Sequence, residues 1–477
     1  MRKSTWFLGI ILAVLVSCAI NPVTGKRELS LISESAEIEM GKAADAEISG
    51  QYGLYRDPAL EGYIEQVGRS LVPHTHRPQL GYRFAVIDDP VVNAFAAPGG
   101  YVYVTRGLLA SVGSEAELAA VLGHELGHIS ARHSVRQMSQ LIIVQLGLGL
   151  GSALSKDFAK IAGFAGVGIQ LLFLKFSRDD ERQADALGVD YARNTGYNPA
   201  EMVVFFESLQ KMGDLSGARP LPGFLSTHPL TKDRIRDVRA LVAAGDESRW
   251  VRRDAYLKRI DNIVYGEDPR QGYVEGNAFY HPGMEFTFQF PAGWKVQNTA
   301  SKVILNSPDS RAAFWLQAEQ SAEELPAYAR KKLAEIEGGR LIQDRSLTIN
   351  GMAAYNQMVD LAGQDPSQSR PLRARLSYIR KNAFIFVLGG LSAASDFDRR
   401  EPEFEKTVRS FTPLRDPARL SRNPRRLRII RADGRRTLES LLRAEGVAGD
   451  LWPRLAVSNE MALSETPAAG RLLKVVR

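Results

Sequence analysis

The stretch SEAELAAVLGHELGHI, residues 114–129, decides how this chain is read. Ser114 with Glu117 three residues later is a capping box, in which each side chain satisfies an orphan N–H at a helix start. The helix it opens carries Ala119, Val121, Leu122, Leu126 and Ile129. His124 and His128 stand one turn apart on one face of it. Two neutral imidazoles so placed can hold one Zn²⁺ at roughly 2.0–2.1 Å each. Glu125 projects beside such a metal and can take a proton from water. The pattern therefore predicts one zinc ion per chain, with His124 and His128 as ligands and Glu125 as catalytic base. His133 falls about 140° from His128 and about 180° from His124 around a straight helix. It is expected to be structural or solvated, not a ligand.

A catalytic zinc needs a third protein ligand and one open position. A second predicted helix supplies DDERQAD, residues 179–185. Spacing alone gives Glu181 only a slight preference over Asp179 and Asp180. At this point the sequence resembles the family of the CAAX prenyl proteases, the membrane protease HtpX and the BepA-like periplasmic proteases. The resemblance covers about Asn21 to Val238. It rests on NAFAAPGGYVYVT (93–105), on HELGH followed by Ala131-Arg132-His133, on ERQAD with Gly188, and on Ser226-Thr227-His228-Pro229 with Arg234.

The resemblance implies a mainly helical zincin-type metalloprotease domain with a small sheet. It makes Glu181 the third zinc ligand. It places Asp185 behind a ligand histidine, orienting it through its other ring nitrogen. In the BepA-like branch the residue matching His228 looks like a movable group that can fill the open zinc position. In other branches this histidine, or the nearby arginine, would assist the transition state, with Arg234 near the developing oxyanion. The alternating, β-branched and aromatic run Tyr101, Val102, Tyr103, Val104 is expected to pair, main chain to main chain, with an extended substrate.

Working outward, the 477 residues call for about two to three domains. The start resembles a lipoprotein signal: Arg2 and Lys3, an apolar run from Trp6 to Val16, then Leu15-Val16-Ser17-Cys18. Cys18 is the one cysteine, so no internal disulfide can form, and lipidation would remove its free thiol. Ala19 in place of an acidic retention signal favours the outer membrane and its periplasmic face. A net charge of +7 in an exported chain points to anionic envelope surfaces and away from nucleic acid. The apolar stretches Leu141 to Leu154 and Ile161 to Leu174 are each too short to span a bilayer. They read as a buried or partly exposed helical hairpin, or as a membrane-surface contact, and their shortness argues against a multispanning prenyl protease.

The expected fold class is multidomain α+β. Its divisions are a signal peptide (1–17), the zinc metallopeptidase domain (18–267), a small α+β domain (268–414), a basic linker (415–426) and a final unit (427–477). In the second domain the Phe286–Asn298 stretch weakly resembles the PsbP sandwich. In the last unit Gly434, Thr437, Leu441, Gly446, Asn459 and Gly470 are spaced somewhat like a degenerate LysM module. Arg435 and Arg436 stand there where that module has one Asp. The functional expectation is a lipid-anchored zinc endopeptidase acting on misfolded or unassembled envelope proteins. Peptidoglycan and the outer-membrane assembly machinery are its expected neighbours. The alternative is a largely auto-inhibited, chaperone-like or wall-binding lipoprotein.

Overall fold

The helix carrying the two histidines is buried along its whole length, Glu115–Ser130. A helix covered on all sides is a core element, not a surface stripe. Every polar group on it is therefore costly unless it is partnered or has work to do. This comes from a computed structural model that describes residues 18–147, 175–215, 223–336, 338–361 and 371–477. The expected signal peptide and most of the two apolar stretches lie outside the described residues. Among the described residues, no helix is long and apolar enough to cross a membrane.

The architecture is multidomain α+β, in two compact units. One runs to Glu267 and resumes at Arg425–Arg477; the other is Asp268–Pro424. In the first, helices Glu34–Tyr52, Pro58–Leu71, Arg178–Thr195 and Glu201–Leu215 accompany the central helix. Asp57 caps the second of these, with Pro58 at its first position, where a missing N–H costs nothing. Ser177 and Asp180 form a full capping box at Arg178, and Gly196, with φ 106°, closes that helix in the left-handed region. The central helix stops at Ser130. Arg132 takes φ 54°, and a new helix, His133–Gly147, begins in another direction. Arg132 is held there by Glu37 and the Ile32 carbonyl at 2.9 and 3.0 Å. Arg77, buried beside Glu37, donates to the Ile129 carbonyl and so caps the end of the central helix.

A three-stranded sheet flanks the central helix. Tyr101–Thr105 lies in its middle, parallel to Arg83–Ile87 and antiparallel to Ala94–Ala97. This corrects the expectation for Tyr101–Val104. Both edges of that strand are already paired, so it has no main-chain groups to offer a substrate. The edges of the sheet are Ala94–Ala97 and Arg83–Ile87, the latter bridged at Ile87 by Leu54.

The C-terminal segment folds as strand Leu427–Arg431, helices Leu438–Ala444 and Trp452–Ser458, and strand Leu472–Val476, the two strands antiparallel. It is continuous with the core of the first unit: Leu473 and Val475 pack in one cluster with Leu108, Leu109 and Tyr256. Lys474 is fully buried and donates to the carbonyls of Ala110, Ser111 and Val112, just ahead of the Ser114 cap. Burial pushes its ammonium down to about 8, against the pull of Glu117 and Glu460.

The second unit has a seven-stranded antiparallel sheet that starts at edge strand Gly339–Ile349 and passes through Met352–Leu361, Leu372–Lys381 and Phe384–Ala393 to Ala312–Gln320, Lys302–Asn306 and Lys295–Asn298. Helix Leu325–Ala334 covers one face and helix Phe397–Arg409 the other. A four-stranded sheet built around Phe286–Gln289 completes it.

One buried carboxylate gives this fold an acid limit. Asp246 accepts from Arg193 at 2.9 Å, Arg249 at 2.8 Å and the Ala243 N–H at 2.8 Å. The Arg193 hydrogen bond, helped by those from Ala243 and Arg249, holds its carboxyl down at about 2. An unfolded Asp titrates near 3.9. Its contribution is thus complete above about pH 4 and is lost as pH falls from there toward 2. The Asp246→Asn variant should melt about 3 °C lower at neutral pH. That deficit should shrink in thermal scans taken below pH 4.

Candidate metal centre

The central helix and helix Arg178–Thr195 meet glycine to glycine. A Cβ added at Gly188 would stand 2.9 Å from the His124 backbone nitrogen, and one at Gly123 would stand 3.1 Å from the Gly188 carbonyl. Gly127 lies as close to Ala184. This approach brings Glu181 and Asp185 onto the histidines. Ligand atoms of His124, His128, Glu181 and His228 all lie within 4.8 Å of one another, and all four residues are buried.

The pair distances describe a single focus. His124 Nε2 and His128 Nε2 are 3.1 Å apart. Glu181 oxygens stand 3.7 Å from the first and 3.6 Å from the second. His228 Nδ1 is 2.9 Å from Glu181 Oε1 and 3.3 Å from His124 Nε2. Three imidazoles and a carboxylate at tetrahedral spacing are a zinc donor set by their chemistry. Asp179 and Asp180 are not in the cluster: Asp180 binds Arg136 and the helix cap, and Asp179 pairs with Arg182.

The groups behind the ligands fix which nitrogen carries the proton. Asp185 Oδ1 lies 2.9 Å from His124 Nδ1. A carboxylate accepts only, so His124 donates from Nδ1 and its Nε2 lone pair faces the focus. Burial would raise the Asp185 carboxyl, but Arg234 and His124 hold it below the usual range. A parallel chain serves His128. His133 Nε2 faces Gln183 Oε1 at 2.9 Å, and His133 Nδ1 faces His128 Nδ1 at 2.9 Å. With Gln183 accepting, His133 Nδ1 must accept as well. His128 then donates from Nδ1 and keeps the Nε2 lone pair free. Burial holds His133 down at about 4, which keeps it neutral for that task.

His133 is thus no ligand, as helical geometry predicts, yet it is neither solvated nor idle. Its position depends on the break at Arg132, which a straight-helix projection leaves out. Arg234 is also placed differently from expectation. It donates to both oxygens of Asp185 and to the Pro229 carbonyl, and stands as an ion pair 2.6 Å from Glu181 Oε2. A guanidinium so engaged braces the metal-side carboxylates and does not face a developing oxyanion.

Glu125 is fully buried, and burial raises its carboxyl against the lowering influence of His228 and His124. One oxygen, Oε1, has no hydrogen-bond partner among the described residues and stands 3.6 Å from His228 Nε2. The Ala96 N–H faces the same carboxylate, which puts the unpaired edge of Ala94–Ala97 beside the base. Phe176 stacks on His128 at 4.0 Å, and Phe224 stacks on His228 at 4.7 Å. These rings keep bulk water from the ligands. The Phe224 N–H also bonds to the Val92 carbonyl, so the segment bearing His228 is pinned just ahead of the edge strand.

Residues 58–242 match the profile of peptidase family M48. Over these residues the chain is similar to that family. The beta-barrel assembly-enhancing protease of Escherichia coli (strain K12) is 31% identical over 227 residues, 46% of this chain and 46% of that protein. The mitochondrial metalloendopeptidase OMA1 of Schizosaccharomyces pombe is 28% identical over 274 residues, 56% of this chain and 77% of that protein. The chain thus covers just under half the length of the first of these relatives. A solved structure, cyanobacterial PsbP from Synechocystis sp. PCC 6803, is matched at 13% identity over 28% of this chain and 91% of that one, with a TM-score of 0.24, too low to bear on fold.

The glycine contact makes a prediction about the metal centre. Gly188→Ala must push its helix away from His124 and draw Glu181 and Asp185 off the focus. Zinc affinity, measured by chelator competition, should fall by about tenfold or more. An unchanged affinity would show that the helices can yield without moving the ligands.

Proposed function

We propose that the chain is a zinc metalloendopeptidase that cleaves extended segments of misfolded or unassembled envelope proteins. The observation that carries this reading is the buried His124, His128, Glu181 and His228 cluster with Glu125 beside it. His124, His128 and Glu181 would hold the ion. Zinc, when bound, supplies Lewis acidity that polarises a carbonyl and makes water a competent nucleophile near neutral pH. Glu125 takes the water proton on Oε1 and later delivers it to the leaving amine. Its burial suits both steps, because a carboxyl with a raised pKa both accepts and releases a proton readily. The unpaired edge of Ala94–Ala97 lines up the substrate by main-chain hydrogen bonds, which give affinity without side-chain preference.

His228 belongs to the resting state in this reading. It fills the position that a substrate carbonyl and the attacking water would need. Phe224 holds it in place, so the site is closed until that segment withdraws. The auto-inhibited, chaperone-like alternative differs only in whether it ever withdraws. We further propose that Cys18 is lipidated and holds the protein at the periplasmic face of the outer membrane. The small α+β domain and the C-terminal segment would then face the envelope. The PsbP-like and LysM-like readings of those parts, and peptidoglycan or assembly machinery as neighbours, are part of the same proposal.

Two substitutions test it. Glu125→Gln should keep one zinc per chain, measured by metal analysis, and lower casein hydrolysis by at least about a thousandfold. Retained proteolysis would refute the assignment. His228→Ala should raise basal hydrolysis several-fold while zinc is retained. A rate that falls instead assigns His228 to the transition state, and an unchanged rate removes it from both roles.

A further inference from the structure

Phe224, which stacks on His228 at 4.7 Å, is also a wall of a cavity of about 460 Å³. That volume is typical of small-ligand sites. All of its lining residues belong to the first unit. The inner wall is apolar. Pro90, Val91, Val92, Met212 and Leu225 are half-buried there, so each keeps surface for an occupant. The serine hydroxyls in the lining, of Ser111 and Ser458, already donate to the carbonyls of Leu108 and Leu455.

The exposed part of the lining is charged. It holds two arginines, Arg425 and Arg454, and two carboxylates, Glu267 and Asp450. Among the described residues, none of the four has an ion pair or a side-chain hydrogen bond. They gather around Tyr265: burial raises its hydroxyl, Arg454 and Arg425 oppose that rise, and Asp450 adds to it. Glu267 follows Tyr265 by two residues. Unpaired charges of both signs beside an apolar recess complement a molecule with both signs on its head and an apolar tail. The head of a zwitterionic phospholipid has that pattern, with phosphate for the guanidiniums and ammonium for the carboxylates. Room for about fifteen waters is room for an acyl chain of roughly a dozen carbons, since a methylene fills nearly the volume of a water molecule. One apolar side chain of a peptide would leave most of it empty.

We propose that this cavity takes one acyl chain of a zwitterionic phospholipid, with Arg425 and Arg454 on its phosphate and Glu267 and Asp450 on its ammonium. The chain lies between Leu225 and the Val91–Val92 pair. These are the two sides of a joint, closed by the Phe224 N–H on the Val92 carbonyl. Gly223 keeps the joint tight: a Cβ there would stand 2.5 Å from both the Val91 side chain and the Val92 carbonyl. Withdrawal of the His228 segment would take away the Leu225 wall. The occupant therefore binds the closed arrangement better and holds it closed. That consequence rests on the reading of His228 as the group that closes the metal centre; the lipid site itself does not.

The test titrates the full Glu125→Gln chain with lysophosphatidylethanolamines of increasing tail length, each below its micelle concentration. One molecule should bind per chain. Affinity should rise about fourfold per methylene and level off near about twelve carbons, where the cavity is full. Lysophosphatidylglycerol with the same tail, whose head is anionic only, should bind at least about threefold more weakly. Arg425→Gln with Arg454→Gln should weaken the ethanolamine lipid by about tenfold. Glu267→Gln with Asp450→Asn should erase the preference between the two heads. The four side chains are exposed, so both variants should melt at the wild-type temperature. No saturable binding, affinity that climbs with tail length without levelling, equal binding by wild type and variants, or stronger binding of an acetylated dileucine amide would each overturn the site. In the active chain, saturating lipid should lower casein hydrolysis several-fold and have no effect on the His228→Ala chain. Saturable binding with undiminished hydrolysis would overturn the coupling. A His228→Ala chain no faster than wild type would remove the reading of His228 and leave the lipid site standing.

Discussion

Everything at the metal centre depends on how closely two helices approach. Gly123 and Gly127 on one side, with Ala184 and Gly188 on the other, bring backbone to backbone with no Cβ between them at the tightest point. Only then can a carboxylate side chain of ordinary length reach the imidazoles of the neighbouring helix. Glu181 and Asp185 lie one turn apart on their helix, as His124 and His128 do on theirs. The crossing therefore presents two carboxylates to two imidazoles at once. One carboxylate meets the metal-facing nitrogens, and the other meets the outer nitrogen of His124.

Full burial of the central helix makes that arrangement expensive and specific together. A buried imidazole or carboxylate without partners would shift toward its neutral form and unsettle the core. Here each group is tied to a second. Arg234 holds Asp185, Asp185 holds His124, and Gln183 holds His133, which holds His128. Proton positions then follow from donor and acceptor rules, link by link. Glu125 keeps one buried oxygen without a hydrogen bond, as the neighbouring Glu181 does. An unpaired buried carboxylate oxygen beside a donor set is what a proton acceptor in a reaction requires, and what a structural residue avoids.

Much of this was legible in the residues, in proportion to how local the governing physics is. The capping box at Ser114, the one-turn spacing of His124 and His128, and the strand at Phe286 are set by short-range rules. The structure has the helix at Glu115–Ser130 and the strand at Phe286–Gln289; Ser114 caps the helix, but Glu117 accepts from the Gly113 N–H, so the reciprocal half of the box is absent. Glu181 could not be separated from Asp179 and Asp180 by spacing, because the choice is made by a helix crossing. Family resemblance supplied what geometry could not. Of the two readings open for His133, structural or solvated, the structural one holds, and its contact with His128 Nδ1 depends on Arg132 leaving the helix at φ 54°. The substrate strand was misplaced for a different reason. Tyr101–Thr105 has strong β propensity, and strong propensity marks a strand's existence, not its place in a sheet. Ala94–Ala97 reads as part of a turn, yet it is an edge of the sheet. Edge or centre is fixed by pairing between distant segments, and no local pattern carries it.

The C-terminal segment shows the same limit on a larger scale. Its Arg-rich approach and glycine spacing suggest a module on a tether. The structure buries its last strand, Leu472–Val476, completely. Lys474 then ties that strand to the three carbonyls preceding the capped start of the central helix. An ammonium group there does what a helix C-terminus needs, since the last carbonyls of Arg106–Ser111 have no partner further along the helix. It also sits near Glu117 on the first turn of the metal helix, so the last residues of the chain and the ligand-bearing element share one electrostatic neighbourhood. A segment bound in this way cannot move freely while the core of the first unit stays intact. Whatever it contributes at its outer surface, it contributes as a fixed part of the body that holds the metal centre.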